Sequence, residues 1–268
     1  MNRLIVLGTG HATVTKCYNT CFALTNGIND YILVDVGGGN GILVSLEKAG
    51  IPIAKIHYAF VSHNHSDHLL GIVWIIRMIA SSILSGGYTQ NFTVYSHHEL
   101  IDNIIALVNL TLEKKLTDLI GKRILLIPVE DGQTENIIGQ DFTFFDIHST
   151  QAKQFGFTLR LSNGKCLTFL GDEPYNPLCR NYVLNSDWLL SEAFCMYDER
   201  DLFKPYEKHH STVKDACELG AQLNIKNLVL WHTDDTHITC RKELYTAEGK
   251  KYYSGNLYVP DDHDVIEL

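Results

Sequence analysis

Apolar residues along the chain fall into two kinds of segment, short continuous runs and longer stretches with helical spacing. The runs at 55–61 and 165–170 are typical of buried strands. In 97–118 the residues Leu100, Ile104 and Val108 recur at helical spacing, which predicts a helix with one buried face. Because the two kinds of segment alternate, the pattern predicts an α/β protein.

Strand-rich parts and strand–helix parts follow one another twice along the chain. The predicted strands are 4–7, 17–25, 30–35, 55–61, 92–96, 123–129, 141–147, 155–162, 165–170, 186–191 and 226–231, and the predicted helices are 42–49, 69–84, 97–118, 212–223 and 241–247. This order indicates two sheets face to face, with helices outside and a site at one edge. With 268 residues and no long linker segment, we expect one domain, 1–268.

Turn residues predict three hairpins. The Asn-Gly pair at 163–164 lies between two predicted strands and is a strong signal for a two-residue hairpin turn. A second Asn-Gly pair, at 26–27, suggests a hairpin between the second and third strands. We also expect a final hairpin over 256–268, turning around 260–262.

Composition and charge narrow the class of protein. Hydrophobic residues make up 45% of the chain, while the net charge of -9 argues against a broad nucleic-acid-binding surface. The seven cysteines form no obvious disulfide framework, so we expect reduced thiols and a cytoplasmic protein. The N-terminal segment is typical of a strand and not of a signal peptide. The apolar run 69–84 is short for a membrane span and contains Arg77, so we expect a buried helix and no membrane contact.

The segment 63–68 carries three histidines and one aspartate between a predicted strand and a predicted helix. Imidazole nitrogen and carboxylate oxygen are ligands that zinc and similar divalent ions prefer. His63 and His65 point the same way in an extended segment, whereas the adjacent Asp67 and His68 diverge. This spacing predicts two neighbouring metal sites. The alternative is a polar loop with surface histidines.

Further candidate ligands follow other strands. His148, Asp172 and His232 each come directly after a predicted strand, and together with the first segment they would complete the two sites. A single His or Asp in such a place is usually structural. Asp35 ends another strand, where it either orients a ligand histidine or caps the turn.

The pattern His63-Asn64-His65-Ser66-Asp67-His68, followed by His148, Asp172 and His232, resembles the metallo-β-lactamase superfamily, and most of all its ribonuclease Z branch. Further matches to that branch are Leu7-Gly8-Thr9-Gly10 with Asn19, Val34-Asp35-Val36-Gly37, Phe155-Gly156-Phe157, Glu192-Ala193 and His210-Ser211-Thr212. The resemblance covers essentially the whole chain. It implies an α/β fold of the superfamily's kind, a four-layer αββα sandwich.

The resemblance also implies a role for each candidate residue. The first ion would be held by His63, His65 and His148, the second by Asp67, His68 and His232, and Asp172 would bridge them. Glu192 and His210 would form a dyad beside the leaving group, in which Glu192 raises the pKa of His210 and keeps it protonated. We expect Asp67 to be catalytic as well as metal-binding. Zinc is the first expectation for both ions, and manganese or iron would fit the same ligands.

The interval between His148 and Asp172 bears on the substrate. Ribonuclease Z proteins of the shorter bacterial form carry an arm there that grips tRNA, whereas this chain has only a predicted hairpin. The resemblance therefore implies a phosphodiesterase acting on a small cyclic nucleotide or similar phosphodiester, as in armless relatives such as the anti-Pycsar proteins. The alternatives are tRNA 3′-processing and hydrolysis of a lactone, ester or thioester.

The sequence leaves two questions open, namely the oligomeric state and the roles of the other histidines. Relatives are often homodimers, so we expect a homodimer, with the helices of 69–120 as the contact. His11 and His209 have no assigned role, and we expect His97 and His98 to be solvent-exposed or capping residues. Any of these four histidines could line the pocket.

Overall fold

The computed structural model of the chain describes residues 2–27 and 30–268, and within these residues two seven-stranded sheets face each other. In spatial order the first sheet contains β14 (Val265–Glu267), β1 (Arg3–Gly8), β2 (Cys21–Thr25), β3 (Tyr31–Val34), β4 (Ile56–Phe60), β5 (Phe92–Ser96) and β6 (Ile124–Pro128). The second contains β13 (Asn256–Tyr258), β12 (Asn227–Trp231), β11 (Trp188–Glu192), β10 (Cys166–Phe169), β9 (Phe155–Arg160), β8 (Gln140–Asp146) and β7 (Thr134–Ile137).

Each sheet is antiparallel on one side and parallel on the other. Strands β1 to β3 pair antiparallel and β3 to β6 parallel, and in the second sheet β7 to β10 pair antiparallel and β10 to β13 parallel. Parallel neighbours need crossover connections, which here contain most of the helices. These are α1 (Gly41–Lys48), α2 (Ser66–Leu69), α3 (Ile72–Leu84), α4 (His98–Thr111), α5 (Lys114–Thr117), α6 (Arg180–Val183), α7 (Arg200–Phe203), α8 (Val213–Gln222) and α9 (Arg241–Gly249), with short 3₁₀ turns at Ile53–Lys55, Pro177–Cys179, Tyr197–Glu199 and Tyr206–Lys208.

Aromatic side chains fill the space between the sheets. The fully buried rings of Phe60 and Phe144 lie 5.1 Å apart, and Phe157 packs edge-on against Phe60 at 5.6 Å. Aromatic contacts of this kind stabilise a core beyond the area they bury. Separate apolar clusters lie under the helices on the outer face of each sheet. The predicted four-layer αββα sandwich is confirmed.

The predicted final hairpin over 256–268 is wrong. Strand β13 pairs in parallel with β12, whereas β14 pairs antiparallel with β1 in the other sheet. Residues 260–262 therefore carry the chain from one sheet to the other. The fully buried guanidinium of Arg241 holds this crossing, because it donates to the Pro260 carbonyl at 2.7 Å and to the Asp261 carboxylate at 3.0 Å.

Two predicted helices are shorter than expected because each is interrupted. The segment 69–84 divides into α2 and α3 around Gly71, where a Cβ atom would meet the carbonyl oxygen of Val36 at 1.9 Å. Glycine is therefore required for this close approach. The segment 97–118 divides into α4 and α5 because Leu112 is extended, at φ -109 and ψ 153.

One stretch of the described residues, Ser66–Leu84, is long and apolar enough to cross a membrane by length and composition alone, with a mean hydropathy of 1.5. Inside the structure 56% of it is buried. Ile72, Ile75 and Ile79 are fully covered by the core of the first sheet. The stretch therefore has the burial of a core helix, as the sequence predicts.

Candidate metal centre

The candidate ligands lie at one edge of the two sheets, where parallel strands end. Loops that follow parallel strands gather at the same edge of a sheet, which is where α/β proteins place their sites. Three segments carry the candidates. The loop after β4 carries His63 and His65 and leads into α2, which carries Asp67 and His68. The loop after β10 carries Asp172, and the loop after β12 carries His232.

These residues form two triads in which the candidate ligand atoms lie within 4.8 Å of one another. One triad is His63, His65 and Asp172, and the other is Asp67, His68 and His232. The Oδ2 atom of Asp172 reaches both triads, at 3.5 Å from Nε2 of His63, 3.3 Å from Nε2 of His68 and 3.4 Å from Nε2 of His232. Nε2 of His63 is buried without a hydrogen-bond partner, a position that a cation would satisfy. The donor set therefore fits two divalent ions with a shared carboxylate.

Asp35 has both of the roles between which the sequence leaves a choice: it orients the candidate ligand His68, and its Oδ1 atom caps the turn by accepting from the Ser62 N–H at 2.7 Å. Its Oδ2 atom accepts hydrogen bonds from Nδ1 of His68 at 2.7 Å and from the Ser62 hydroxyl at 2.9 Å. Because Nδ1 of His68 donates to this carboxylate, Nε2 is left to face the triad. The Ser62 hydroxyl also lies 2.9 Å from Nδ1 of His63, so one serine connects the two triads from behind.

Burial and neighbouring charge set the protonation of the triads. Burial lowers the pKa of His63 well below its usual range. Burial alone would raise the pKa of Asp172, but the imidazoles of His63 and His68 hold it well below its usual range. These two groups thus have the neutral and ionised forms that metal ligands need. For His68 burial opposes protonation, yet the carboxylates of Asp67, Asp35 and Asp172 raise its pKa well above the usual range, so metal binding must displace a proton there.

Three of the nine non-glycine residues with positive φ in the described part of the chain lie at or beside this edge of the sheets. Asp35, His148 and His232 all have positive φ angles, of 52°, 56° and 55°. Residues with side chains adopt this conformation only when the surrounding structure imposes it, at a cost of about 1–3 kcal/mol each. At Asp35 and His232 this conformation directly follows a strand and contributes to placing the two side chains at the triads.

His148 is the one predicted ligand that the structure does not bring into either triad. Its side chain is exposed, and its backbone N–H donates to the Asp146 carboxylate at 2.7 Å. It lines an adjoining cavity of about 330 Å³ together with Glu173 and His209. The left-handed backbone turns the residue toward this cavity. Its role as a ligand of the first ion stays a prediction.

Glu192 and His210 lie together beside the triads, but not as the sequence predicts. Nδ1 of His210 is 2.8 Å from the Asp172 carbonyl and 3.8 Å from the Glu192 carboxylate, so its hydrogen bond goes to the carbonyl. Burial lowers the pKa of His210 to about 4, helped by the neighbouring His232. Burial also raises the pKa of Glu192 to about 8. The expectation that Glu192 raises the pKa of His210 is therefore wrong, and both side chains are neutral near pH 7.

A cavity of about 350 Å³ opens above the triads. Its lining is His11, Ala12, Thr13, His65, Asp67, Asp172, Phe194, Lys208, His210 and His232. Of the four histidines left open, His11 thus lies in the pocket wall. His97 instead caps α4, where its Nδ1 accepts from the Leu100 N–H at 3.4 Å, while His98 is exposed and His209 lies in the adjoining cavity.

Phe194 and Lys208 are wall residues for which the sequence pattern gives no prediction. Each lies two positions from a member of the predicted dyad, Phe194 after Glu192 and Lys208 before His210. Proximity to the dyad is the only sequence signal either residue carries. Phe194 is buried, and its ring stacks on His210 with centroids 5.1 Å apart.

Comparisons with known proteins agree with this geometry. A sequence model of the family described as the anti-Pycsar protein Apyc1 matches residues 2–248. The ribonuclease Z of Thermococcus sibiricus is 23% identical over 310 residues, which cover 100% of this chain and 97% of that protein. YhfI from Bacillus subtilis, a metallo-beta-lactamase fold protein, superposes with a TM-score of 0.80 at 17% identity, over 100% of this chain and 99% of its own.

A second solved structure carries metal. Zn²⁺-bound PqqB from Methylobacterium extorquens superposes with a TM-score of 0.75 at 13% identity, over 99% of this chain and 100% of its own. At these identities the two solved structures show a shared fold alone.

Proposed function

Because the chain belongs to the family of the anti-Pycsar protein Apyc1, we propose that this metal-dependent hydrolase is a phosphodiesterase that cleaves a small cyclic nucleotide or a similar phosphodiester. The membership confirms the resemblance to the metallo-β-lactamase superfamily. The observation that carries the proposal is the cavity of about 350 Å³, in which Asp172, shared by both triads, lies beside His210.

The proposed metal ligands follow the two triads. His63, His65 and Asp172 would hold one ion, with His148 as a further ligand, and Asp67, His68 and His232 would hold the other, with Asp172 within reach of both. Zinc suits these nitrogen and oxygen donors, as do manganese and iron. When bound, the ions supply Lewis-acid stabilisation of charge at phosphorus and a nucleophile at neutral pH.

His210 is proposed to protonate the leaving alkoxide. Its Nδ1–H donates to the Asp172 carbonyl, so Nε2 is the nitrogen available to the cavity. A neutral imidazole must first take up a proton there, and an arriving anionic phosphodiester favours this because it stabilises the imidazolium. Glu192 accepts from the Ser211 N–H at 2.7 Å, which fixes the segment that carries His210. His210 thus donates the proton, and Glu192 positions the His210 side chain.

Charge and size favour a small substrate over tRNA. The net charge of -9 disfavours a long phosphate backbone, because each phosphate contact needs a basic partner. The interval between His148 and Asp172 contains the β9–β10 hairpin, which pairs Phe157 with Phe169 within the second sheet. No basic arm is available in that interval to grip a large RNA.

The ribonuclease Z relatives favour a second candidate, tRNA 3′-processing. The relative from Thermococcus sibiricus aligns over the whole chain, and both activities need the same hydrolysis of a phosphodiester. The two candidates therefore differ in what the pocket walls bind and not in the chemistry.

A substrate comparison tests the proposal. The metal-loaded protein is incubated separately with bis(p-nitrophenyl) phosphate, cyclic nucleotides, a tRNA precursor and a lactone, and turnover is compared. We expect hydrolysis of the first two and none of the lactone. Faster cleavage of the precursor than of any cyclic nucleotide would favour ribonuclease Z activity, and lactone turnover without phosphodiester turnover would overturn the proposal.

A further inference from the structure

Part of the pocket wall is formed by the loop after β1, which is tied to the segment that follows His232. The His11 N–H donates to the Thr233 carbonyl at 3.2 Å, and the Thr233 N–H donates to the Thr9 carbonyl at 3.0 Å. The Asn19 amide also donates to the His11 carbonyl at 2.9 Å. The backbone of His11 is therefore fixed relative to the second triad.

The ring of His11 has one defined tautomer. Its Nδ1 accepts from the Thr13 N–H at 3.4 Å, so the ring proton lies on Nε2. Nε2 is 3.9 Å from the Asp234 carboxylate, which favours this tautomer but is beyond hydrogen-bond range. The side chain is 13% exposed, and the residue lines the cavity above the triads. Within the described residues, the Nε2–H of His11 thus faces the Asp234 carboxylate at ion-pair distance and makes no hydrogen bond shorter than that, so a phosphoryl oxygen in the pocket would compete with Asp234 for this donor.

Two more groups share the surface on which His11 rests. The Phe194 ring contacts His11 at 4.6 Å between centroids and His210 at 5.1 Å, and Nζ of Lys208 lies 4.7 Å from the centre of the same ring. The wall thus holds two imidazoles and one ammonium around Phe194. We call the triads the floor of the cavity, which carries the carboxylates of Asp67 and Asp172, and the side chains around them its walls.

We propose that His11 binds the substrate: its Nε2–H donates a hydrogen bond to a phosphoryl oxygen, and Lys208 supplies positive charge to the same phosphate. This inference rests on the proposed phosphodiesterase function. A phosphodiester has two non-bridging oxygens, and an oxygen that does not face the ions needs N–H donors in the wall. His11 and Lys208 are placed to provide them, while His210 remains free to act on the leaving group.

A purely structural role for His11 makes different predictions, because its ring then only packs on Phe194 and closes the loop. His11→Phe keeps an aromatic ring on Phe194 but removes the donor. His11→Gln keeps an N–H near the position of Nε2, whereas His11→Asn places its amide near Nδ1, where it can accept from Thr13 but cannot reach the phosphate. The matched controls are His98→Phe and Lys214→Met, both outside the pocket.

The test measures the dissociation constant of inorganic phosphate by calorimetry on the metal-loaded protein, together with metal content, and KM and kcat for bis(p-nitrophenyl) phosphate. We expect His11→Phe and His11→Asn to weaken phosphate binding and raise KM by roughly tenfold, with kcat and metal content little changed. His11→Gln should stay within about threefold of the wild type. Lys208→Met should weaken phosphate binding by about threefold to tenfold.

Unchanged phosphate binding in His11→Phe and His11→Asn would overturn the inference, as would equal loss in His11→Gln and His11→Asn. If His11→Phe loses its fold or its metal, the Gln and Asn pair decides. Because phosphate binding does not require turnover, a wild-type protein that binds phosphate through His11 but cleaves no phosphodiester would sink the proposed function and leave this inference standing.

Discussion

The floor of the pocket and its walls are built in different ways. On the floor, His63, His68 and Asp172 are at most 3% exposed, and His68 is held by a hydrogen bond of 2.7 Å from Nδ1 to Asp35. In the walls, Lys208 is exposed and contacts between side chains are mostly between rings, such as the 4.6 Å contact of His11 with Phe194. The floor is therefore fixed before ions bind, and the walls are where substrate specificity can change without loss of the metal centre.

The largest effect should come from the floor residue that joins the two triads. Asp172→Ala removes the carboxylate that lies within 3.5 Å of His63 and His68, so we expect loss of bound metal and at least about a 1000-fold fall in turnover. Metal content by mass spectrometry and hydrolysis of bis(p-nitrophenyl) phosphate measure both. Asp141→Asn, on the exposed side of β8, is the control. Full retention of both ions by Asp172→Ala would contradict the division into floor and wall.

His210→Ala tests a wall residue. Unlike Asp172→Ala, this variant should keep both ions. We expect turnover to fall about 100- to 1000-fold for a cyclic nucleotide, whose alkoxide leaving group needs a proton, and tenfold or less for p-nitrophenyl esters. Comparison of the two substrates in the same preparation measures the difference. Loss of metal in this variant would mean that His210 belongs to the floor.

The sequence predicts the floor better than the walls for a physical reason. The residue types that bind metal are few, and at the ends of strands they stand out, so the candidate ligands His63 to His68, Asp172 and His232 are recognisable without coordinates. The walls depend on distances that the sequence does not contain. Glu192 was expected to raise the pKa of His210, but the hydrogen bond of His210 goes to a carbonyl and burial dominates.

The fold also has parts that the sequence predicts and parts that it does not. Apolar runs predict the strands that contain them. Strand β7 (Thr134–Ile137) lies at a sheet edge and is short and mostly polar, so its sequence carries no such run. The prediction of a final hairpin is wrong because the sequence pattern of β13 and β14 does not determine which strands they pair with. Their partners, β12 and β1, lie elsewhere in the chain. His148 shows the same limit, since a φ of 56° decides where it points. The predicted homodimer stays a prediction.

Asp35→Asn tests how much the floor depends on the carboxylate that holds His68 from behind the triads. The amide keeps the size of the side chain but weakens acceptance from Nδ1 of His68, so that ring loses its fixed orientation. We expect metal affinity to fall about 10- to 100-fold while the pocket walls and phosphate contacts stay intact. Titration of the metal-free protein with zinc measures the affinity. Affinity within twofold of the wild type would show that Ser62 alone orders the triads.

The smallest effect concerns Glu192, which is buried beside the wall residue His210 and whose pKa is raised from 4.5 to about 8 by burial. The folded protein holds this proton more tightly than the unfolded chain. Its contribution to stability is therefore fully present below about pH 4.5 and is lost as the pH rises through about 8. Glu192→Gln cannot ionise, so the metal-free variant should lose less stability over that range than the wild type.

At pH 8 we expect the Glu192→Gln variant to have a Tm a few degrees above that of the wild type, equal to about 1–3 kcal/mol. The gain is limited because the Gln amide leaves a buried group without a partner, at the place where Oε2 of Glu192 has none. Thermal melts of the metal-free proteins at pH 5 and pH 8 give the result, with the half-exposed Glu218→Gln as the control. The Glu192→Gln advantage should be near zero at pH 5 and largest at pH 8. An advantage that is equal at both values would mean that Glu192 is ionised in the folded protein, so that a charged carboxylate and not a neutral one stands beside His210.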